Sequence, residues 1–343
     1  MSAPALVLLA AGASRRFGTP KQLEPLGPSG ETIMELTARD AVAAGVERIV
    51  LVVNGETGSE VTAQMKEAAR RDGYAAPVTI ESVEQRLDDV PARVEQVPGR
   101  MRSSPAGPSR AGPSAKPPAR VRPWGTAHAL RTARLALADS GARIIVANAD
   151  DWYGSTAIDR LVRSAAGTEG SGYAALVPYP IHVTLAPASV PDPRGVSRGV
   201  VEADEFGRLV GIREVLGLHR NPDDPHRARG RAADGSEVEI SVEALCSMNL
   251  WAFGPEIWDV LDDHFRDFLV EHGSTSETEC FLPDAVLGAV RRRRLSVRML
   301  DPGTVHLGIT HPTDLERVRD GLRTALRGRR GRPATLPSRP PED

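Results

Sequence analysis

Short apolar runs and longer amphipathic stretches alternate through the first half of the chain. Residues 5–9 (ALVLL) and 48–53 (RIVLVV) are unbroken runs rich in Val, Ile and Leu, the pattern of strands buried on both faces of a parallel sheet. Between them, residues 32–44 (TIMELTARDAVAA) predict a crossover helix that stops at Gly45. A second helix is predicted over 59–73 and a short third strand over 78–80. A helix over 126–139 leads into another buried strand, 143–146 (RIIV). This alternation predicts an α/β fold with a doubly wound, mostly parallel, Rossmann-like sheet that binds ligands at the carboxyl ends of its strands. The second half is richer in β signals. Residues 199–203, 208–213 and 244–253 read as strands, with Gly207 as a turn. Gly254-Pro255 opens an amphipathic helix carrying Ile257, Val260, Leu261, Phe265 and Phe268. A last strand follows over 295–300, and Thr310 is expected to cap a terminal helix running from Pro312 to about Arg327.

Two segments break the pattern. Residues 99–122 (GRMRSSPAGPSRAGPSAKPPARVR) have no hydrophobic period and are dense in Pro, Ser and Gly, so they read as a disordered or mobile loop. Residues 327–343 read as a disordered tail, which leaves a single domain over 1–326. Of the 343 residues, 41% are hydrophobic and 26% charged, ordinary for a globular chain. A formal net charge of -2 lacks the basic excess of a nucleic-acid binder. The run Arg291 to Arg294 is a solvated helix end. Cys246 and Cys280 alone supply neither a disulfide framework nor a cysteine zinc site. The opening MSAPALVLLAAG has no charged n-region and too short an apolar run to span a bilayer, so a cytoplasmic protein with no membrane partner is expected. Lysine occurs only at positions 21, 66 and 116 in an arginine-rich chain, which makes Lys21 conspicuous.

The chemistry begins where the first strand ends, in LLAAGASRRFGTPKQL (8–23). A strand leading into a Gly/Ala/Ser turn presents consecutive backbone N–H groups as an anion nest. Arg16 adds a forked guanidinium and Lys21 a mobile point charge. The P-loop pattern GxxxxGK[ST] is absent, and GxGxxG fails because Ser14 and Phe17 stand where its later glycines would be. On these residues alone, a plain chain reversal with solvated arginines stays open.

The stretch resembles the signature of the sugar-1-phosphate nucleotidylyltransferases, L-A-A-G-x-G-x-R followed by P-K. Leu9, Ala10, Ala11, Gly12, Arg16, Pro20 and Lys21 match it, and Ser14 replaces the second glycine. The resemblance implies a chain that joins an NTP to a sugar 1-phosphate and releases pyrophosphate. Arg16 would hold the triphosphate and Lys21 would neutralise the reacting phosphates. Leu9, Ala11, Gly12, Ala13 and Ser14 would border the nucleotide. WGTAHAL (124–130) is similar to the family segment in which Gly125 and Thr126 face the base, and Gln85 is similar to the glutamine that reads the base edge. NADDWYG (148–154) follows a strand as the metal-binding aspartate of the family does, which makes Asp150 the expected Mg²⁺ ligand. Asp151 stays open between a second ligand and a helix cap.

GVSRG (195–199), GIREV (211–215) and SMNLWAF (247–253) resemble the sugar-contacting segments, which implies Gly199, Glu214 and Asn249 as sugar-binding residues. The implied organisation is a nucleotide-binding part over 1–98 and 123–170 and a sugar-binding part over 171–310. With FLPDAV (281–286), these segments also resemble the subgroup that activates valienol-type cyclitol 1-phosphates in antibiotic and other secondary-metabolite pathways. The implied partners are an NTP, GTP or ATP, and a sugar or cyclitol 1-phosphate; a homodimer is compatible with the reading. One departure is visible: Gly308 stands where many members carry a second metal-binding Asp or Asn. His306, Thr310, His311, Asp301 and Asp151 stay open as replacements. Two rival readings are a non-catalytic sensor of nucleotide sugars and a cytidylyl- or molybdopterin-type nucleotidyltransferase, whose opening loop LAAGASRRFG resembles.

Overall fold

Alternate residues of the first strand face two different cores, as a strand buried on both sides requires. The computed structural model describes residues 3–12, 20–72, 74, 78–91, 120, 122–167, 170–186, 195–273, 275 and 278–327. Strand β1 (Ala5–Leu9) is followed by helix α1 (Ile33–Ala43), strand β2 (Arg48–Val53), helix α2 (Gly58–Arg71) and strand β3 (Thr79–Glu84). Leu6 and Leu8 of β1 pack with Met34, Ile49, Leu51, Val61 and Met65 in one cluster. Ala5, Val7 and Leu9 pack with Val50, Val52 and Leu130 in the other.

Helices α3 (Thr126–Thr132) and α4 (Arg134–Leu137) then lead to strands β4 (Ile144–Asn148) and β5 (Asp151–Trp152) and helix α5 (Ser155–Gly167). Strands β6 (Tyr173–Leu176) and β7 (Tyr179–Pro180) and the single turn α6 (Ile181–Thr184) precede a run of strands. These are β8 (Val196–Ala203), β9 (Leu209–Arg220), β10 (Arg227–Ala232), β11 (Glu237–Ser241), β12 (Leu245–Ser247) and β13 (Trp251–Phe253). The chain closes with α7 (Ile257–His272), α8 (Leu282–Arg291), β14 (Ser296–Met299), β15 (Leu307–Gly308) and α9 (Leu315–Leu326).

Seven strands form the central sheet in the order β14-β6-β13-β4-β1-β2-β3. All its pairings are parallel except those of β13, which runs antiparallel to both β4 and β6. A second, antiparallel sheet has the order β11-β10-β9-β8-β12-β7, and β15 pairs with β5 in a small two-stranded ribbon. The fold is therefore mixed α/β around a mostly parallel sheet, as the sequence predicted. A third small core (Leu26, Ile33, Leu36, Trp152, Ile309, Val318 and Leu322) fastens α9 and β15 to α1 and β5.

Local chemistry explains the boundaries. Thr32 and Glu35 form a capping box on α1: Thr32 Oγ1 accepts from the Glu35 N–H at 3.2 Å, and Glu35 Oε2 accepts from the Thr32 N–H at 3.1 Å. Gly45 ends that helix with a φ of 108°. Several expectations are corrected. The predicted helix over 126–139 is broken into α3, α4 and a 3-10 turn at Ala138–Ser140. The predicted strand over 244–253 is two strands in two sheets, because Asn249 turns the chain with a φ of 57°. Thr310 does not cap the last helix by its side chain. The Asp314 carboxylate accepts from the Thr310 N–H at 2.9 Å and from the His311 N–H at 2.8 Å. The expected loop 99–122 and tail 327–343 lie almost wholly outside the described residues, which include only positions 120, 122 and 327 of them.

Candidate active site

A parallel sheet leaves the carboxyl ends of its strands at one edge, and the functional candidates gather there. Strand β4 ends at Asn148, Asp150 stands in the turn that follows, and Asp151 opens β5. These residues line a cavity of about 660 Å³ that also takes in Lys21, Thr126, Gly199, Glu214 and Asn249. Six predicted site residues, distant in sequence, thus share one wall-to-wall space: Lys21, Thr126, Asp150, Gly199, Glu214 and Asn249.

Lys21 opens a one-turn 3-10 helix over Lys21–Leu23. Its ammonium pairs with the Asp150 carboxylate and donates to the Ile309 carbonyl at 3.3 Å. Burial, and then the neighbouring Asp151 charge, push the Asp150 carboxyl above the usual carboxylate range, against the opposing pull of Lys21. Burial also disfavours the charge on Asp151. There the His306 ring and the Asn148 amide outweigh it and hold the carboxyl below its ordinary range. Asn148 Nδ2 donates to Asp151 Oδ2 at 2.8 Å, and His306 Nε2 lies 3.2 Å from Asp151 Oδ1. That second approach is close but poorly aligned, since His306 Nε2 makes no regular hydrogen bond among the described residues.

The acceptor-side candidates are organised by strand register. Gly199 of β8 and Glu214 of β9 are direct cross-strand partners, and a β-carbon at 199 would stand 3.0 Å from Ile212 Cγ2. Burial, then the nearby Asp284 charge, raises the Glu214 carboxyl above its ordinary value. Asn249 reaches the cavity from the left-handed turn between β12 and β13. Tyr153 ties the two halves of the site together. Its hydroxyl accepts from the Asn148 N–H at 3.0 Å and donates to the Met248 carbonyl at 2.9 Å.

Other predicted residues have different surroundings. Leu9 and Ala11 are buried at the end of β1 and Gly12 is exposed, all three off the cavity lining. Ala13, Ser14 and Arg16 lie outside the described residues. The Gln85 amide donates to the Gly125 carbonyl at 3.2 Å and meets His128 Nδ1 at 3.0 Å, so it braces the turn before α3. Gly125 has a φ of 102°, and a β-carbon there would stand 2.5 Å from the Cys280 carbonyl oxygen. Backbone packing therefore already requires this glycine. Thr126 does not cap its own helix; its Oγ1 accepts from the Leu282 N–H at 2.9 Å, at the start of α8. The sequence reading missed Asn148, Arg198, Asp284 and Arg317, which also line the cavity. Arg198 could have been found, since it directly precedes Gly199 inside GVSRG.

Two neighbouring carboxylates at a strand end are hard oxygen donors. They suit Mg²⁺, which needs only one or two carboxylates when substrate phosphates and water complete its shell. Among the described residues, no group of three or more His, Cys, Asp or Glu side chains could hold a metal ion by itself. Both oxygens of Asp151 already face protein partners, so Asp150 is the better donor. The donor set fits a cation shared with a phosphate substrate.

Residues 6–93 match the MobA-like NTP transferase domain. A comparison with curated proteins found no match to the chain. Among solved structures, the inositol-1-phosphate CTP transferase from T. maritima superposes with a TM-score of 0.55 at 15% identity, over 95% of this chain and 98% of that one. A UDP-glucose pyrophosphorylase bound to UDP-glucose superposes with a TM-score of 0.53 at 13% identity, over 96% of this chain and 100% of that one. These likenesses establish a shared fold across nearly the whole chain. The domain match supports a nucleotidyltransferase. Among the described residues, no helix is long and apolar enough to cross a membrane.

Proposed function

We propose, on the premise of the NTP-transferase match and the shared fold, that this cavity transfers a nucleotidyl group from an NTP to the phosphate of a sugar or cyclitol 1-phosphate. The observation that carries the reading is the Lys21–Asp150 pair on a cavity shared with the polar acceptor candidates Gly199, Glu214 and Asn249. An acceptor phosphate oxygen forms a bond to the α-phosphorus. The bond from that phosphorus to its bridging oxygen breaks, and the electron pair leaves with pyrophosphate. The attacking phosphate is already ionised, so the protein's work is positioning and charge neutralisation rather than proton transfer.

Lys21, fixed on Asp150 and on the Ile309 carbonyl, brings positive charge to the reacting phosphates. Arg16, Ala13 and Ser14 belong to the same reading as triphosphate-binding residues of the opening turn. Asp150, with Asp151 beside it, would hold Mg²⁺. When bound, that ion supplies further positive charge to the phosphates. The acceptor's hydroxyls meet Glu214 and Asn249, and Gly199 lets the ring approach the backbone. One fold neighbour is named for inositol 1-phosphate, itself a cyclitol phosphate, and the other for UDP-glucose, which supports this acceptor class. The valienol-type cyclitols and a secondary-metabolite role extend the same reading.

The test is pyrophosphate release with Mg²⁺, each common NTP, and glucose, inositol and valienol 1-phosphates. A signal that requires one NTP and one acceptor supports the proposal. NTP binding with no turnover on any acceptor would favour a binding protein.

A further inference from the structure

The last helix brings an arginine into the cavity. Arg317 of α9 lines the cavity beside Gly308, Thr310, His311 and Asp314, and its side chain is 30% exposed. It is held lightly. Nη2 donates to the Gly308 carbonyl at 3.3 Å and to Asp314 Oδ1 at 3.3 Å, both at the long end for a hydrogen bond. Asp314 Oδ2 meanwhile accepts from the Thr310 and His311 N–H groups, so one carboxylate fixes both the turn and the arginine. Nε and Nη1 of Arg317 make no hydrogen bond among the described residues. The guanidinium is therefore positioned by one corner and keeps the rest of its planar fork, the donor geometry that matches phosphate oxygens.

Its place relative to Lys21 is equally specific. Lys21 grips the Ile309 carbonyl and Arg317 the carbonyl just before it, that of Gly308. The two cations stand along one strip of backbone, itself bound to the metal-site turn through the Ile309 N–H and the Asp150 carbonyl at 3.1 Å. We propose that Arg317 is a binding residue of the reaction site that holds the pyrophosphate released by nucleotidyl transfer. This rests on the nucleotidyltransferase reading. In-line displacement puts the attacking and leaving oxygens on two sides of the phosphorus. The acceptor candidates Gly199 and Glu214 belong to the β8–β9 wall, whereas Arg317 stands with Lys21 on the Gly308–Ile309 strip, beside the cation that this reading sets against the reacting phosphates.

The experiment is calorimetric titration of pyrophosphate, with Mg²⁺, into the full chain and into the Arg317→Gln and Arg317→Lys variants. Loss of a charge-assisted fork should weaken pyrophosphate binding about tenfold in Arg317→Gln, with a part of it regained in Arg317→Lys. Equal affinity in the wild type and a folded Arg317→Gln protein overturns the assignment. Should Arg317→Gln not fold, Arg317→Lys carries the test, and an unchanged affinity there overturns it too. A wild-type chain that binds neither pyrophosphate nor any NTP overturns this inference together with the nucleotidyltransferase reading.

Discussion

The Asp151 carboxylate occupies the space that a side chain on Gly308 would need. The two residues are paired across the β5–β15 ribbon, and a β-carbon at 308 would collide with Asp151 Oδ1. The missing carboxylate at 308 is thus matched by one that reaches the same place from the facing strand. Gly308→Ala should push Asp151 aside and destabilise the fold by about 1–3 kcal/mol, the usual cost of overpacking. The exchange Asp151→Gly with Gly308→Asp should regain activity that either single change loses. Calorimetric unfolding of Gly308→Ala, and pyrophosphate release by the wild type, the two single exchanges and the double exchange, check this; strictly additive losses would break the link between the two positions.

Lys21→Ala should leave the fold intact and raise the barrier by roughly 2–4 kcal/mol, the usual worth of one electrostatic group at a reacting centre. Because Lys21 and Asp150 pair, adding Asp150→Asn should cost much less than the sum of the single effects. Steady-state turnover of the two single variants and the double variant decides the matter.

Asn249 combines two properties that substitution separates. Asn249→Gly keeps the left-handed turn and removes the side chain, so it should raise KM for the acceptor and lower the melting temperature only modestly, through loss of the 3.4 Å bond from buried Trp251 Nε1 to Asn249 Oδ1. Asn249→Val should unfold earlier still, since a β-branched residue tolerates a φ of 57° poorly.

Gln85→Leu should lower stability by about 1–3 kcal/mol, because the Gly125 carbonyl and His128 lose a buried partner. The ranking of NTPs as substrates should stay the same. A changed ranking would instead support the base-reading role that the resemblance implies for Gln85.

Burial pushes the Cys246 thiol up to about 11 and the Cys280 thiol up to about 12. Both should resist an aromatic disulfide reagent at pH 8 in the native chain and react on unfolding. Above about pH 9 the unfolded thiols lose protons that the folded ones keep, so stability should fall as pH rises. Rapid native labelling would show that one of these sites opens.

The sheet core was legible in the sequence because it depends on local composition. The runs at 5–9 and 48–53 became β1 and β2 with unchanged bounds, and the helix read over 32–44 became α1 over Ile33–Ala43. The break at Asn249 was not legible. A buried apolar strand and an apolar stretch crossing between two sheets have the same composition, and only the tertiary pairing separates them. Strands β10 and β11 escaped notice because RARGRA and EVEIS are held by hairpin pairing rather than by apolar runs. Lys21, Asp150 and the acceptor candidates stood out as motifs with chemistry attached. Arg317 did not, since it lies in a helix of alternating charges and gains its meaning only when the third core folds α9 against β15.

The central claim is tested most directly with an NTP labelled at its α-phosphorus, incubated with Mg²⁺ and the acceptor 1-phosphates. The account predicts that the label moves to the acceptor product while unlabelled pyrophosphate is released, and that Lys21→Ala slows this transfer by about 30-fold to 1000-fold. Label recovered only in unreacted NTP or free nucleotide, or transfer at an unchanged rate without Lys21, would contradict it.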